Sequence, residues 1–265
     1  TKAGKGAKPT VSIKGQYGFS QPALPTTEMM STSQYYDLWK TIAPNADLSI
    51  IKQYMDMGIN TNWQDYFLKD NAPTWQLDAS ITGVSKNTNY FISASHYDQE
   101  GVEPASGMKR ETLRSNIDTK VFDWLRVGVN LGLSYEDFET NGFATTGNSW
   151  YNVATLSRWA LPWETPYEIV DDGNGNWHYG DRKDLLDVLG LWNPYYLLEN
   201  QPAEKNKIRL YGNMFEELTP VKGLTIRASQ ALDAFDYRYR YRMLPAQFNN
   251  YSGSASESFQ RSFQT

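Results

Sequence analysis

His96 and His178 are the only histidines in 265 residues, and cysteine is absent. Without thiolates or a His-x-x-x-His pair there is no zinc donor set, and disulfides are excluded. Gly4-Lys5-Gly6-Ala7-Lys8-Pro9 lacks the spacing of a phosphate-binding loop and reads as a flexible basic linker. The run DDGNGN, Asp171 to Asn176, offers oxygen ligands of the kind calcium loops use. A loop started at Asp172, however, puts Trp177 where the turn glycine belongs and Lys183 where the bidentate glutamate belongs. A β-turn at a hairpin tip, with Trp177 and Tyr179 on the return arm, fits better. No nucleophile–base pair stands at recognisable spacing, so the chain is not read as an enzyme, and no metal or cofactor is expected.

The remaining chemistry is binding. Trp150, Trp159, Trp163, Trp177 and Trp192, with Tyr167 among them, fall in an irregular stretch, 143–206. Flat rings beside carboxylates and amides suit sugar rings and peptide side chains alike, so these six are the candidate substrate contacts. For any single Trp the favoured reading is that it packs the loop or meets a partner protein lying over it, and the ligand role belongs to the loop as a whole. Trp150 and Trp159 fall on a short helix expected over 149–161. Arg238-Tyr239-Arg240-Tyr241-Arg242 interleaves cations and rings as some nucleic-acid grooves do. With 30 acidic against 25 basic residues and a formal charge of -5, the chain does not read as a nucleic-acid binder.

The elements that position these residues show in the alternation. Leu125, Val127, Val129, Leu131, Leu133 and Tyr135 share one face; Arg126, Gly128, Asn130, Gly132, Ser134 and Glu136 share the other. A period of two marks a strand with one apolar and one polar face. Strand-centre Arg, Asn and Glu would not enter a packed soluble core without partners. The length matches the roughly 9–11 residues a strand needs to cross a bilayer with its apolar side toward lipid. Similar alternation predicts strands through Val11–Phe19, Trp75–Ile81, Tyr90–Ser95, Leu113–Val121, Ile208–Leu218 and from Leu224, with another starting near Ser256. Between the first two, helices are expected over 33–42 and 47–57, capped by Ser33 and Asp47. The connections run long, short, medium, short, long, short, medium, as in an outer-membrane barrel with turns on one rim and loops on the other. Tyr17, Phe19, Trp75 and Tyr135 at the loop ends and Tyr90 and Trp124 at the turn ends fit two aromatic belts. Mean hydropathy is low, at -0.61, which a barrel permits because its membrane signal lies in alternation. The lumen-side charges, among them Arg114, Arg126, Arg209, Asp118, Glu136 and Glu217, are expected to pair with one another or with whatever fills the lumen. The competing reading is a soluble or surface β-sandwich that binds glycans.

Several stretches resemble the early barrel of SusC/RagA-type TonB-dependent transporters of the Bacteroidetes. They are TNYFISASHYDQEGV (88–102), KRETLRSNIDTKVFDWLRVGVNLGLSY (109–135), INTNWQDYF (59–67) and KGLTIRAS (222–229). TKAGKGAKPTVSIKGQYGF (1–19) is similar to that family's exit from the plug domain into the first strand. The match covers about half the chain and fades over 143–206. The resemblance implies an all-β fold: a partial transmembrane antiparallel up-and-down β-barrel, about eight strands of a larger plugged barrel, with long extracellular loops containing short helices. It implies residues 1–8 leaving the plug and 9–265 forming the N-terminal part of the barrel, with both ends being cuts through a larger protein. It also implies a SusD-like lipoprotein partner, TonB acting through a segment outside this sequence, and import of oligosaccharides or peptides. Outer-membrane lipid would surround the wall, with Arg238 and Arg240 meeting lipopolysaccharide phosphates unless a bulge in 231–235 turns them inward.

Overall fold

The computed structural model describes residues 8–23, 28–140, 153–186, 190–245 and 256–264. Five strands follow one another: β1 (Thr10–Ser20), β2 (Ala72–Ser85), β3 (Thr88–Glu100), β4 (Gly107–Phe122) and β5 (Leu125–Glu139). Two small ladders come next, β6 (Tyr167–Asp171) with β7 (Trp177–Arg182), and β8 (Leu185–Leu186) with β9 (Leu191–Trp192). β10 (Ala203–Val221), β11 (Leu224–Met243) and β12 (Ser256–Gln264) then extend the first sheet. The result is one antiparallel sheet in the order β1-β2-β3-β4-β5-β10-β11-β12, an up-and-down wall that does not close on itself. The turns at 86–87, 123–124 and 222–223 lie on one rim, and every longer connection lies on the other. Gly223, at φ +90, supplies the left-handed backbone that its two-residue turn needs.

The two faces of this sheet are sheltered in the opposite sense to a water-soluble sheet. Leu133 is 43 % exposed and its neighbour on the other face, Ser134, 7 %; Met214 is 37 % exposed and the adjacent Phe215 9 %. Val11, Ile13, Leu77, Ile92, Leu113, Leu131, Leu210 and Ile226 all stand exposed on the apolar side. The more sheltered side therefore carries the polar residues, and the other presents aliphatic ones with no second layer over them among the described residues. This overturns the β-sandwich reading, which needs the apolar faces of two sheets pressed together. On β11 the outward positions Ile226, Ala228, Gln230, Leu232 and Ala234, apolar but for Gln230, are followed by Asp236 and Arg238, a length that matches what a tilted strand spans in hydrocarbon.

Adjacent strands lock by ring-over-glycine contacts. Gly128 faces Phe215, Gly132 faces Tyr211 and Gly83 faces Tyr90 in register. A Cβ on Gly128 would lie 2.0 Å from the Phe215 ring, and one on Gly132 2.4 Å from Tyr211. Only glycine leaves room there for a ring to lie flat across the neighbouring strand.

Among the described residues five short helices occupy the loop side: α1 (Thr32–Ile42), α2 (Ser49–Asp56), α3 (Trp63–Phe67), α4 (Val153–Trp159) and α5 (Pro194–Asn200). The caps differ from those expected. Ser31, not Ser33, begins α1, accepting from the Gln34 backbone while the Gln34 side chain accepts from the Ser31 N–H, a reciprocal capping box. At α2, Leu48 holds the cap position, and Asp47, one residue earlier, accepts from the Ser49 N–H at 2.9 Å. Only 153–159 of the helix expected over 149–161 lies among the described residues as helix, and the sixth strand of the sheet begins at Ala203, earlier than its alternation suggests.

Candidate functional site

The polar face is a wall of paired and unpaired charges. Toward the turn rim, Arg126 donates to both Asp118 carboxylate oxygens, at 2.8 and 2.6 Å, and approaches Glu217 at 3.9 Å. Arg227 reaches the same Glu217 at 3.5 Å and lies 4.0 Å over the Phe215 ring. Mid-wall, the Asn130 amide donates to Asn213 at 2.8 Å, and Arg209 grips Asp233 through two hydrogen bonds, 2.8 and 2.5 Å. These groups, with Arg114, Asn116 and Tyr211, line a hollow of 720 Å³. Mixed signs thus pair across strands as expected, but Arg114 and Glu136 make no hydrogen bond or ion pair among the described residues.

Toward the loop rim the wall becomes aromatic and cationic. The Lys205 ammonium sits 5.0 Å above Phe138 and 5.7 Å from the Tyr237 ring centre, and that of Lys207 lies 5.0 Å above Phe235. Arg110 covers Tyr97 at 5.3 Å. On the opposite face of β11 the register runs unshifted from Ile226 to Tyr241, so no bulge in 231–235 turns Arg238 and Arg240 inward. Asp236 holds Arg238 at 2.9 Å and Arg261 at 2.8 Å, Arg240 meets Glu257 at 3.0 Å, and Arg242 pairs with Glu204.

Above the sheet, the two long connections build a small core of their own. Trp63 and Phe67 of α3 pack against Val153, Leu156 and Ala160 of the α4 region and against Leu186. The Trp63 indole N–H donates to the Leu161 carbonyl at 2.9 Å, and the Thr61 N–H donates to the Pro162 carbonyl at 2.7 Å. Rings of Tyr66, Phe67, Tyr167 and Tyr195 meet edge to face or stacked within about 6 Å. Burial pushes the Tyr66 phenol up to about 12, despite the hydrogen bond it accepts from Asn193. Burial likewise raises Tyr195, and the bond to Glu199 holds Arg182 in its charged form.

No family model matches the chain. The TonB-dependent receptor SusC of Bacteroides thetaiotaomicron is 31% identical over 210 residues, 76% of this chain and 19% of that protein. TonB-dependent receptor P26 of Formosa agariphila is 29% identical over 210 residues, 78% of this chain and 19% of that receptor. The solved structure of the RagAB peptide transporter superposes with a TM-score of 0.73 over 99% of this chain and 33% of its own, at 22% identity. The chain belongs to the SusC/RagA-type TonB-dependent transporters. It spans about a fifth of the length of the curated relatives it matches. Membership gives the two rims their sense: in an outer-membrane barrel the short turns are periplasmic and the long connections extracellular.

The six candidate contacts separate in this transporter segment. Trp163 is 5 % exposed and packs 4.4 Å from Tyr35, so its ring belongs to the loop core. Trp159 is 61 % exposed on α4. Tyr167 and Trp177 share the β6–β7 hairpin with Tyr179, which lies 5.8 and 5.2 Å from them. Trp177 also borders a 740 Å³ cleft against α2, lined by Lys52, Gln53, Asp56 and Asn176. Trp192 stacks on Tyr196 at 5.3 Å. Trp150 lies outside the described residues. The Asp171–Asn176 tip is a turn: bonds from Asn176 and Asn174 hold the Asp172 carboxyl below its ordinary range and occupy its oxygens. Lys205, Lys207 and the rings beneath them were not singled out from the sequence. The signal was the parity of β11, because arginines facing outward put Tyr237, Tyr239 and Tyr241 in the lumen.

Proposed function

We propose that this chain supplies the first strands of the barrel of an outer-membrane importer. It would take up oligosaccharides or peptides together with a SusD-like surface lipoprotein, driven by TonB acting through a segment outside this sequence. In this reading residues 1–8 leave a plug domain and 9–265 form barrel wall and loops, acting by binding and gated translocation without covalent chemistry. The observation that carries it is the inverted shelter of the sheet's faces, Leu133 exposed and Ser134 buried, in a wall whose long connections all gather on one rim. The relatives' names as TonB-dependent receptors support energised import, and the RagAB structures are described as a peptide transporter and importer. Trp159, Trp177, Trp192 and Tyr167 are the proposed loop contacts for substrate or for the SusD-like lipoprotein lying over the barrel as a lid. Arg238 and Arg240, just above the hydrocarbon level, would meet lipopolysaccharide phosphates, Asp236 being shared between Arg238 and Arg261.

The test is uptake by cells expressing the full-length transporter with its neighbouring lipoprotein gene, with and without functional TonB. Accumulation of a labelled oligosaccharide or peptide should require both TonB and the lipoprotein, which should co-purify with the barrel. Uptake indifferent to TonB would remove the reading. For the lipid contact, Arg238→Gln with Arg240→Gln should lower the lipopolysaccharide phosphate that co-purifies, and an unchanged amount would refute it.

A further inference from the structure

We propose that the loop-end part of the lumenal wall is an anion-selective subsite for acidic oligosaccharides, those bearing uronate carboxylates or sulfates. This rests on the reading that the polar face lines an importer's lumen. From the level of Arg114 toward the loops, that face carries Lys14, Arg110, Arg114, Lys205, Lys207 and Arg209 against Asp78, Glu136 and Asp233. Two of the three acids are already engaged. Asp233 is bound by Arg209, and Asp78 accepts from Ser95 at 2.5 Å and from Gln76 at 2.8 Å. The patch is therefore positive inside a chain whose formal charge is -5.

Lys205 and Lys207 form its focus. Neither makes an ion pair among the described residues, although Glu136 stands opposite Lys207 in register, and each ammonium is seated above a ring, Phe138 with Tyr237 or Phe235. A ring holds an ammonium in place without neutralising it, so the charge stays available to an incoming anion while part of its conformational freedom is already lost. Height matters as well. In register, Lys205 faces Tyr239 and Lys207 faces Tyr237, beyond the largely apolar outward run of β11 that ends at Ala234. This stretch of wall stands above the hydrocarbon, where a ligand arriving from outside meets it first. The neighbouring lumenal positions are Gln16, Thr74, Gln76, Gln99 and Gln260. Amides and a hydroxyl match sugar hydroxyls, and the rings on the same face, Tyr97 and Tyr239 among them, match the flat faces of sugars.

The experiment measures binding to the purified full-length transporter by calorimetry. Its probes are tetragalacturonate, a heparin tetrasaccharide, maltotetraose and tetraglutamate. Because no TonB is present, its failure is separate from a failure of energised uptake. At least one of the two acidic saccharides should bind, more weakly as salt rises, and maltotetraose should bind less well. Lys205→Gln with Lys207→Gln should weaken the acidic saccharide by about tenfold or more and leave maltotetraose unchanged. Lys205→Arg with Lys207→Arg should retain binding, and Lys109→Gln, on the lipid face, should change nothing. If the glutamine pair fails to fold, the wild-type salt dependence and the arginine pair still decide. Salt-independent binding, equal loss of neutral and acidic ligands, no binding of either acidic saccharide, or preference for tetraglutamate would each overturn the proposal.

Discussion

Replacing Leu133 by arginine asks directly what the apolar face touches. Leu133 lies mid-strand on β5, flanked in register by Leu113 of β4 and Leu210 of β10, both exposed on the same face. If those side chains touch acyl tails, Leu133→Arg places a guanidinium inside the hydrocarbon, on the loop side of the bilayer midplane. That costs about 1–3 kcal/mol in a membrane barrel, between the midplane and interface values. If they touched water, a position 43 % exposed would tolerate the change within about 0.5 kcal/mol. The companion substitution is Tyr135→Arg, one outward position nearer the loops. Its register partner Glu111 is already paired with His96, so charge is tolerated at that level, and the cost should fall to about 0–1 kcal/mol. The assay is denaturant unfolding of the full-length transporter from phosphatidylcholine vesicles, followed by tryptophan fluorescence and by heat-modified electrophoretic mobility. A Leu133→Arg protein within about 0.5 kcal/mol of wild type, or one no worse than Tyr135→Arg, would refute the lipid-facing assignment.

Gly128→Ala should cost about 1–3 kcal/mol in the same assay, because the new Cβ meets the Phe215 ring at 2.0 Å. With Phe215→Ala already in place the same change should cost almost nothing, and simple additivity would exclude the ring-over-glycine joint. Trp163→Ala should loosen the loop core by about 3–5 kcal/mol and expose 28–71 and 153–202 to protease. Trp177→Ala should leave that protection intact while weakening substrate capture, and equal protease sensitivity of the two variants would contradict the division of roles. Unfolded loops release the Tyr66 proton near 10 and folded loops keep it to about 12, so loop stability should fall as pH rises through that window. Tyr66→Phe should shrink the fall to the part that buried Tyr195 contributes, as read by protease protection against pH; a wild-type profile flat from pH 10 to 12 would count against it.

The sheet was legible because its constraint is local. Each residue from Leu125 to Tyr135 chooses between lipid and lumen, and the choice alternates along the chain itself. The short turns and the outward parity of Arg238 follow from the same count. The loop body was not legible in that way. Trp63 and Leu161 are bonded across 98 positions, and no period within either loop announces that contact. Trp163 packs against Tyr35 of the other long connection, a contact that nothing within its own loop announces. α3 escaped notice because five residues hold barely more than one helical turn, too few to display a period. The cap of α1 moved to Ser31 because Gln34 answers it three residues on, whereas Ser33 only touches the Ser31 hydroxyl.

Two different solvents thus stabilise two parts of one chain. The wall gains nothing from hiding leucines from water beneath a second layer; its strands are held by backbone ladders, ring-over-glycine joints and lumenal pairs such as Arg126 with Asp118. The loops stand in water and need an ordinary core, which they build from Trp63, Phe67, Leu156 and Leu186. Where the two meet, Tyr241 donates to Gln201 at 2.5 Å and the Arg242 N–H donates to the Pro202 carbonyl at 3.0 Å, so the end of the loop body is tied to the strand that carries the lumenal tyrosines. A ligand or lid that shifts the loops would pull on β11 beside Tyr239, the register partner of Lys205. On the proposed reading, capture at the loops and reception at the lumenal cations would be joined through this one strand, and substitutions at Gln201 should alter both together.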